Sequence, residues 1–195
     1  MIKVGITGGI GSGKTTICRL FELLGIPVYY SDDESKQLLD SNMDVKAGIV
    51  KTFGNDLLSE SGLIDKKKLA SLVFNNKEAL EKLNSIVHPA VRAHFENWLN
   101  QHSAQKYILK EAAILFESNA YKRVDKIITV TAPAEMKISR AMHRDKISRE
   151  QVEHRMMNQI SDEKKINRSE FVIYNDEQKL LIPQVINIHN QLNKL

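Results

Sequence analysis

Short apolar runs alternate with segments of helix-spaced apolar positions along this 195-residue chain. The apolar runs lie at residues 2–7, 26–30, 106–109, 126–131 and 171–174. Runs of this kind are typical of strands that are buried on both faces of a parallel sheet. Since helical segments lie between them, the pattern predicts an α/β protein: a parallel five-stranded sheet flanked by helices.

A predominantly helical block separates the second and third predicted strands. Helical spacing predicts helices at residues 45–53, 66–75 and 77–101, with a turn-rich stretch after the first of them. We expect the His88-Pro89 pair to interrupt the longest helix, because proline lacks the amide hydrogen that an interior helical position uses. The block is interpreted as a helical insertion that covers an acceptor site.

The stretch between the first strand and the first helix, residues 8–15, matches the phosphate-binding loop pattern. Its glycines let the backbone approach phosphates closely, and its amides form an anion site at the positive end of the following helix. In this pattern Lys14 reaches the β- and γ-phosphates, and the Thr15 hydroxyl holds Mg²⁺. The expected nucleotide-binding residues of the loop are Gly9, Gly11, Ser12, Gly13, Lys14 and Thr15.

Acidic residues follow two of the predicted strands. Asp32 comes after the second strand, and Glu111 comes after the third. Because the carboxyl ends of strands beside a phosphate loop face the ligand, Asp32 is a candidate to orient an attacking hydroxyl and Glu111 a candidate for the magnesium side. An acid at position 32 also suits the first turn of a helix, so both interpretations stay open.

Positive charge is concentrated late in the chain. Residues 136–169 hold nine basic and five acidic residues, an excess equal to the formal charge of +4 of the whole chain. Arg140 and Arg144 are four residues apart and so share a helix face. The position of this basic stretch between two predicted strands favours a lid that closes over nucleotide phosphates. The alternative is that the charges form an ordinary solvent-exposed helix face.

The remaining composition narrows the class of protein. The fraction of hydrophobic residues, 42%, supports a sizeable core, and the apolar runs are too short to span a membrane. Cys18 is the single cysteine, so an intrachain disulfide is excluded and a reducing, cytoplasmic setting is expected. One basic patch of lid size is weak support for nucleic-acid binding, and we expect neither a nucleic-acid nor a membrane partner.

Two other functional classes are weighed against a small-molecule kinase of this kind. A GTP-binding switch needs an Asn-Lys-x-Asp element, and the nearest match, residues 76–79, has Ala79 at the fourth position. Another P-loop nucleoside or nucleotide kinase stays the alternative, although the helical block and the His88-Pro89 pair argue against it.

An ordered set of motifs resembles the dephospho-coenzyme A kinase family over nearly the whole chain. The motifs are residues 5–16, Phe53-Gly54, His88-Pro89, residues 115–117, Arg140 with Arg144, Gln159, and residues 171–173 with Asn175. The resemblance implies transfer of the ATP γ-phosphoryl group to the ribose 3′-hydroxyl of dephospho-coenzyme A, the last step of coenzyme A biosynthesis. Mg²⁺ is the implied cofactor, and a monomer or small homo-oligomer is expected.

The resemblance also implies roles for individual residues. The catalytic residues are Asp32 as the base, Lys14 and Arg140. ATP binding extends to Thr16, Arg144 and Asn175, and the expected acceptor-binding residues are Asp32, His88 and Glu117. The chain departs from the family at Tyr30, which replaces the first acid of an Asp-x-Asp element and leaves its role to Asp33 or Glu111.

The implied domain organisation has three parts. Residues 1–31, 104–136 and 169–195 form the nucleotide-binding core, residues 32–103 the coenzyme A domain, and residues 137–168 the lid.

Overall fold

The computed structural model describes residues 1–74 and 76–195, with Phe74 described by its backbone only. The chain forms two compact units: Met1–Tyr30 with His102–Leu195, and Ser31–Gln101. The strands are β1 (Ile2–Thr7), β2 (Val28–Tyr30), β3 (Tyr107–Glu111), β4 (Lys126–Thr131) and β5 (Phe171–Tyr174). The helices described are α1 (Lys14–Leu23), α2 (Ser31–Ser41), α3 (Met43–Phe53), α4 (Lys66–Phe74), α5 (Lys77–Gln101), α6 (Ala134–Asp145), α7 (Arg149–Met157), α8 (Asp162–Ile166) and α9 (Leu181–Leu192).

The first unit is built on a five-stranded sheet in the order β2-β3-β1-β4-β5. Every pair of neighbouring strands is parallel, which confirms the predicted sheet. The register places Ile6 of β1 beside Glu111 on one side and Ile128 on the other. Since β1 is central and runs into the phosphate loop, the loop lies at the carboxyl edge of the sheet.

Apolar side chains cover both faces of this sheet. On one face, α1 and α9 contribute Phe21 and Ile188 to a buried cluster that includes Val4 and Ile128 of the sheet. On the other, Leu115 and Phe116 form a second cluster with Ile127. Burial of apolar surface stabilises the folded state by about 25 cal/mol per Å², and it is the main stabilising contribution in a layered core of this kind.

The second unit packs α2, α3 and α4 against the long helix α5. The expected interruption at His88-Pro89 is wrong, because α5 runs without a break from Lys77 to Gln101 with Pro89 inside it. Val87 is buried and Val91 packs against the same apolar cluster, so residues on both sides of the proline are held by the neighbouring helices. Tertiary packing here outweighs the loss of one helical hydrogen bond. The helix predicted at 66–75 is α4, and Asn75 lies outside the described residues.

One strand end differs from the prediction, and the last helix begins after a turn. β3 extends beyond residue 109, since Lys110 and Glu111 continue the ladder with Gly5 and Ile6 of β1. At the other end of the chain, α9 begins at Leu181 because Asp176 accepts hydrogen bonds from the backbone amides of the two residues after Glu177 and so forms a turn. Among the described residues, we find no helix with the length and apolarity that a membrane span requires.

Candidate active site

The phosphate loop connects the end of β1 to the start of α1. Within it, the Ser12 amide donates to the Gly9 carbonyl at 3.1 Å, and Lys14 Nζ donates to the Gly8 carbonyl at 3.0 Å. Thr15 and Thr16 lie exposed in the first turn of α1, where backbone amides have no helical acceptor. This geometry offers amide, ammonium and hydroxyl donors to an anion at the positive end of a helix.

Two glycines allow the loop to lie directly against neighbouring segments. Gly11 and Gly13 have φ of 75° and 91°, a region that favours glycine. A side chain at Gly13 would overlap the side-chain amide of Asn175, and one at Gly11 would overlap the backbone of Lys137. The loop therefore requires glycine at both positions for its conformation and for its close packing.

Asn175 ties the loop to the end of the sheet. Its side-chain amide donates to the Ser12 carbonyl at 2.9 Å, and its backbone amide donates to the Thr131 carbonyl at 2.8 Å. Arg140 on α6 donates to the Asn175 carbonyl at 3.1 Å and to the Glu177 carboxylate at 2.9 Å. The structure thus brings together two predicted ATP-binding residues, Ser12 and Asn175, and the predicted catalytic residue Arg140.

Arg144 makes different contacts. It forms two hydrogen bonds to the Asp145 carboxylate, which also accepts from Arg155 at 3.1 Å. The hydrogen bond from Arg144 lowers the pKa of Asp145 and raises that of the guanidinium. In this arrangement Arg144 is 62% exposed and paired with an acid, so its role in ATP binding stays a prediction.

Glu117 is held inside the first unit beneath the segment between α7 and α8. One carboxylate oxygen accepts from the Ile160 amide at 2.9 Å and lies 3.5 Å from Lys165 Nζ. The Lys165 side chain is completely buried, and that of Glu117 is 17% exposed. These contacts give Glu117 a structural partner, whereas its expected contact with the acceptor stays a prediction.

Two carboxyl-edge residues bear on the magnesium side of the site. Glu111 ends β3 and lies in register with Tyr30 of β2. Burial raises the pKa of Tyr30, and the nearby Cys18 and Glu22 add to the effect, so the hydroxyl stays neutral. Burial, followed by the charge of Glu111, also raises the pKa of the Cys18 thiol on α1. The Glu111 carboxylate thus lies at the level of Tyr30, on the neighbouring strand of the sheet.

The side chains of Thr15 and Glu111 have the chemistry to hold a magnesium ion that is shared with nucleotide phosphates. Mg²⁺ prefers oxygen ligands and is bound by one or two carboxylates together with water and phosphate. The described residues contain no group of three or more histidine, cysteine or acidic side chains arranged as a metal cage. Thr15 at the start of α1 and Glu111 at the end of β3 supply the donor types that a shared ion needs.

The second unit carries the remaining predicted residues. Asp32 is exposed in the first turn of α2, directly after β2 along the chain. The next residue, Asp33, forms an exposed ion pair with Lys36 at 3.2 Å. His88 is exposed in the interior of α5.

Comparison with known proteins settles the family. The profile of the dephospho-CoA kinase family matches residues 2–180. The chain belongs to this family. A dephospho-CoA kinase from Bacteroides fragilis is 41% identical over 187 residues, which cover 96% of this chain and 91% of the relative.

Solved structures share this fold, and one of them is a dephospho-CoA kinase. A dephospho-CoA kinase from Campylobacter jejuni is similar with a TM-score of 0.72 and 29% identity, and the match covers 98% of this chain and 97% of that one. A crystal structure from Thermus thermophilus has a TM-score of 0.86 and 30% identity, covering 100% and 97% of the two chains.

Sequence reasoning missed several residues around the phosphate loop of this kinase family member. Gln159 was part of the motif set without a role, and its side chain accepts from the Ile10 amide in the loop at 3.0 Å. Lys137 and Asp162 form a largely buried ion pair that Thr131 joins through its hydroxyl. No periodicity or spacing connects Lys137 with Asp162, which are far apart in the sequence.

We predict that Glu117→Gln lowers the free energy of unfolding by about 3 kcal/mol, because it leaves the buried Lys165 ammonium without a counter-charge. Denaturant unfolding at neutral pH measures the change. Lys165→Met should give a smaller loss, because the Glu117 carboxylate that it leaves is 17% exposed and keeps its hydrogen bond from the Ile160 amide. An unchanged unfolding free energy together with a raised KM for the acceptor would instead support direct acceptor binding by Glu117.

Proposed function

We propose that this protein transfers the γ-phosphoryl group of ATP to the ribose 3′-hydroxyl of dephospho-coenzyme A. The observation that carries the proposal is a complete phosphate loop, fastened to Asn175, in a chain whose residues 2–180 match the dephospho-CoA kinase family. A cytoplasmic location and a monomer or small homo-oligomer stay predictions.

The donor half of the reaction uses the phosphate loop. Lys14 and the amides from Gly9 to Thr16 bind the phosphate oxygens and compensate their negative charge. Thr15 and Glu111 are the residues that would hold Mg²⁺, which supplies charge neutralisation between the β- and γ-phosphates when bound. Asn175 keeps the loop in place through the Ser12 carbonyl.

The acceptor half depends on Asp32. Its exposed carboxylate accepts a hydrogen bond from the ribose 3′-hydroxyl and takes the proton as the oxygen bonds to phosphorus. His88, exposed on α5, is a proposed contact for the acceptor. The second unit, Ser31–Gln101, is the proposed coenzyme A domain.

Arg140 stabilises the phosphoryl group in transfer. A guanidinium presents several donors in one plane, which suits the spread of charge over phosphoryl oxygens. In this structure Arg140 donates hydrogen bonds to the Asn175 carbonyl and to Glu177. The side-chain amide of the same Asn175 binds the phosphate loop, so Arg140 lies close to the loop. The lid region around it would also exclude water, which is a competing acceptor.

The direct test is a coupled ADP-release assay with Mg-ATP and dephospho-coenzyme A. We expect ADP formation that depends on dephospho-coenzyme A and yields coenzyme A as the identified product. Nucleosides and nucleotides serve as comparison acceptors in the same assay. Preferential turnover of one of these would contradict the proposal and favour another P-loop kinase activity.

We predict that Asp32→Asn lowers kcat by roughly 10²–10⁴-fold, because a positioned base is lost, while ATP affinity changes little. Steady-state kinetics with both substrates measures this separation. The matched control is Glu34→Gln, which removes another acid of the same helical turn, one that pairs with His94 at 3.7 Å. Equal losses in the two variants would assign the effect to the helix rather than to a base at position 32.

We predict that Arg140→Ala lowers kcat by about 10²–10³-fold through lost stabilisation of the transferring group. Single-turnover measurement of phosphoryl transfer is the appropriate readout. Glu177→Gln is the control, since it removes only the ion-pair partner of Arg140. If the Glu177 variant reproduced the loss, the ion pair rather than the contact with phosphate would be responsible.

A further inference from the structure

A largely buried ion pair lies against the phosphate loop. Lys137 Nζ on α6 is 2.6 Å from Asp162 Oδ2 at the start of α8, and the Thr131 hydroxyl donates to the same oxygen at 2.7 Å. The side chains of Lys137 and Asp162 are 7% and 22% exposed. The pair thus links α6, α8 and the end of β4 at one point.

The position of this pair relative to the loop follows from two glycines. A methyl group at Gly9 would lie 3.2 Å from Asp162 Oδ1 and 3.3 Å from Lys137 Nζ. The backbone of Lys137 occupies the space where a side chain at Gly11 would be. Both charged groups are therefore immediate neighbours of the loop, on the side to which a side chain at Gly9 would point.

A carboxylate at this place is an electrostatic problem for a loop that binds a polyanion. Like charges less than a Debye length apart repel, and screening is weak when the groups are partly buried. Asp162 is nevertheless useful, because its carboxylate joins α8 to Thr131 at the end of β4. Its charge has to be compensated locally if nucleotide phosphates are to bind nearby.

We propose that Lys137 is a positioning residue for nucleotide binding: it neutralises Asp162, so that this carboxylate can tie α8 to the sheet without repelling the phosphates. The inference rests on the proposed function only in that a nucleotide polyphosphate occupies the loop. The acceptor plays no part in it.

The proposal requires that removal of the Lys137 charge and removal of the Asp162 charge have unequal effects on ATP affinity. Lys137→Met leaves an uncompensated negative charge beside the loop and weakens ATP binding about tenfold or more. Asp162→Asn keeps the shape of the acceptor for Thr131 and leaves a positive charge, so ATP binds within twofold of the wild type or more tightly. The double variant carries neither charge and returns to within about threefold of Asp162→Asn.

The test is isothermal titration calorimetry of the full chain with Mg-ATP, Mg-ADP and AMP, without acceptor. Electrostatic repulsion predicts that the ratio of Kd between Lys137→Met and wild type is largest for ATP, smaller for ADP and smallest for AMP. Lys137→Arg should restore binding, because it keeps the charge. Lys137→Gln, which retains a donor for Asp162 but no charge, should behave like Lys137→Met and replaces it if the latter does not fold.

The matched control is Arg149→Met. Arg149 at the start of α7 pairs with Glu135 on α6, the helix that carries Lys137, and with Glu153. Both pairs are exposed, with side chains 49%, 75% and 42% accessible for Arg149, Glu135 and Glu153. The variant removes one positive charge from the same region, and its Kd values should stay within twofold of wild type.

Equal weakening by Lys137→Met and Asp162→Asn, or a Kd ratio that is the same for ATP, ADP and AMP, would overturn the proposal and leave a purely structural pair. An unchanged Kd in Lys137→Met would also overturn it. Failure of the protein to phosphorylate dephospho-coenzyme A would affect none of these binding ratios, so the two proposals fail separately.

Discussion

The close approach of a glycine-rich loop to polar neighbours is the constraint on which the candidate active site depends. The loop between β1 and α1 accepts a hydrogen bond from Asn175 at Ser12 and donates one to Gln159 from Ile10. Any side chain at Gly13 would occupy the place of the Asn175 amide. A loop that is held in this way before the nucleotide arrives loses less conformational entropy on binding, which favours affinity.

The same contacts join distant parts of the chain into one site. Asn175 follows β5, Gln159 follows α7, and both reach a loop that lies near the N-terminus. Glu117 extends this arrangement, because it binds the amide of Ile160, the residue next to Gln159. Changes under the segment between α7 and α8 are thus expected to reach the phosphate loop through a short path of hydrogen bonds.

The sequence predicted the parts of the structure that depend on local pattern. The apolar runs at 2–7, 126–131 and 171–174 coincide with β1, β4 and β5, because strands buried on both faces need continuous apolar residues. The phosphate loop was recognisable because its chemistry is contiguous. Local pattern failed at Pro89, where packing of neighbouring helices on α5 decides the conformation.

Contacts between distant segments were beyond the sequence pattern. The pairing of Lys137 with Asp162 depends on how α8 returns to α6, and the two residues were counted only as members of a basic stretch. The partner of Glu117 was hidden for the same reason, since a buried lysine in a short helix resembles an exposed one in composition. Such pairs become visible only when the topology fixes which helices meet.

Tyr30 is the clearest departure from the family pattern, and Glu111 on the neighbouring strand is one proposed replacement for the missing acid. The tyrosine hydroxyl is neutral at neutral pH, and burial raises its pKa further, so it cannot replace an acid. Glu111 ends the next strand at the same level, in register with Tyr30, and neighbouring strands are about 4.8 Å apart. A magnesium ion keeps several waters in its coordination shell, so water-mediated contact can accommodate a shift of about this size. A negative charge at the carboxyl edge beside the phosphate loop can therefore come from β3 when β2 does not supply it.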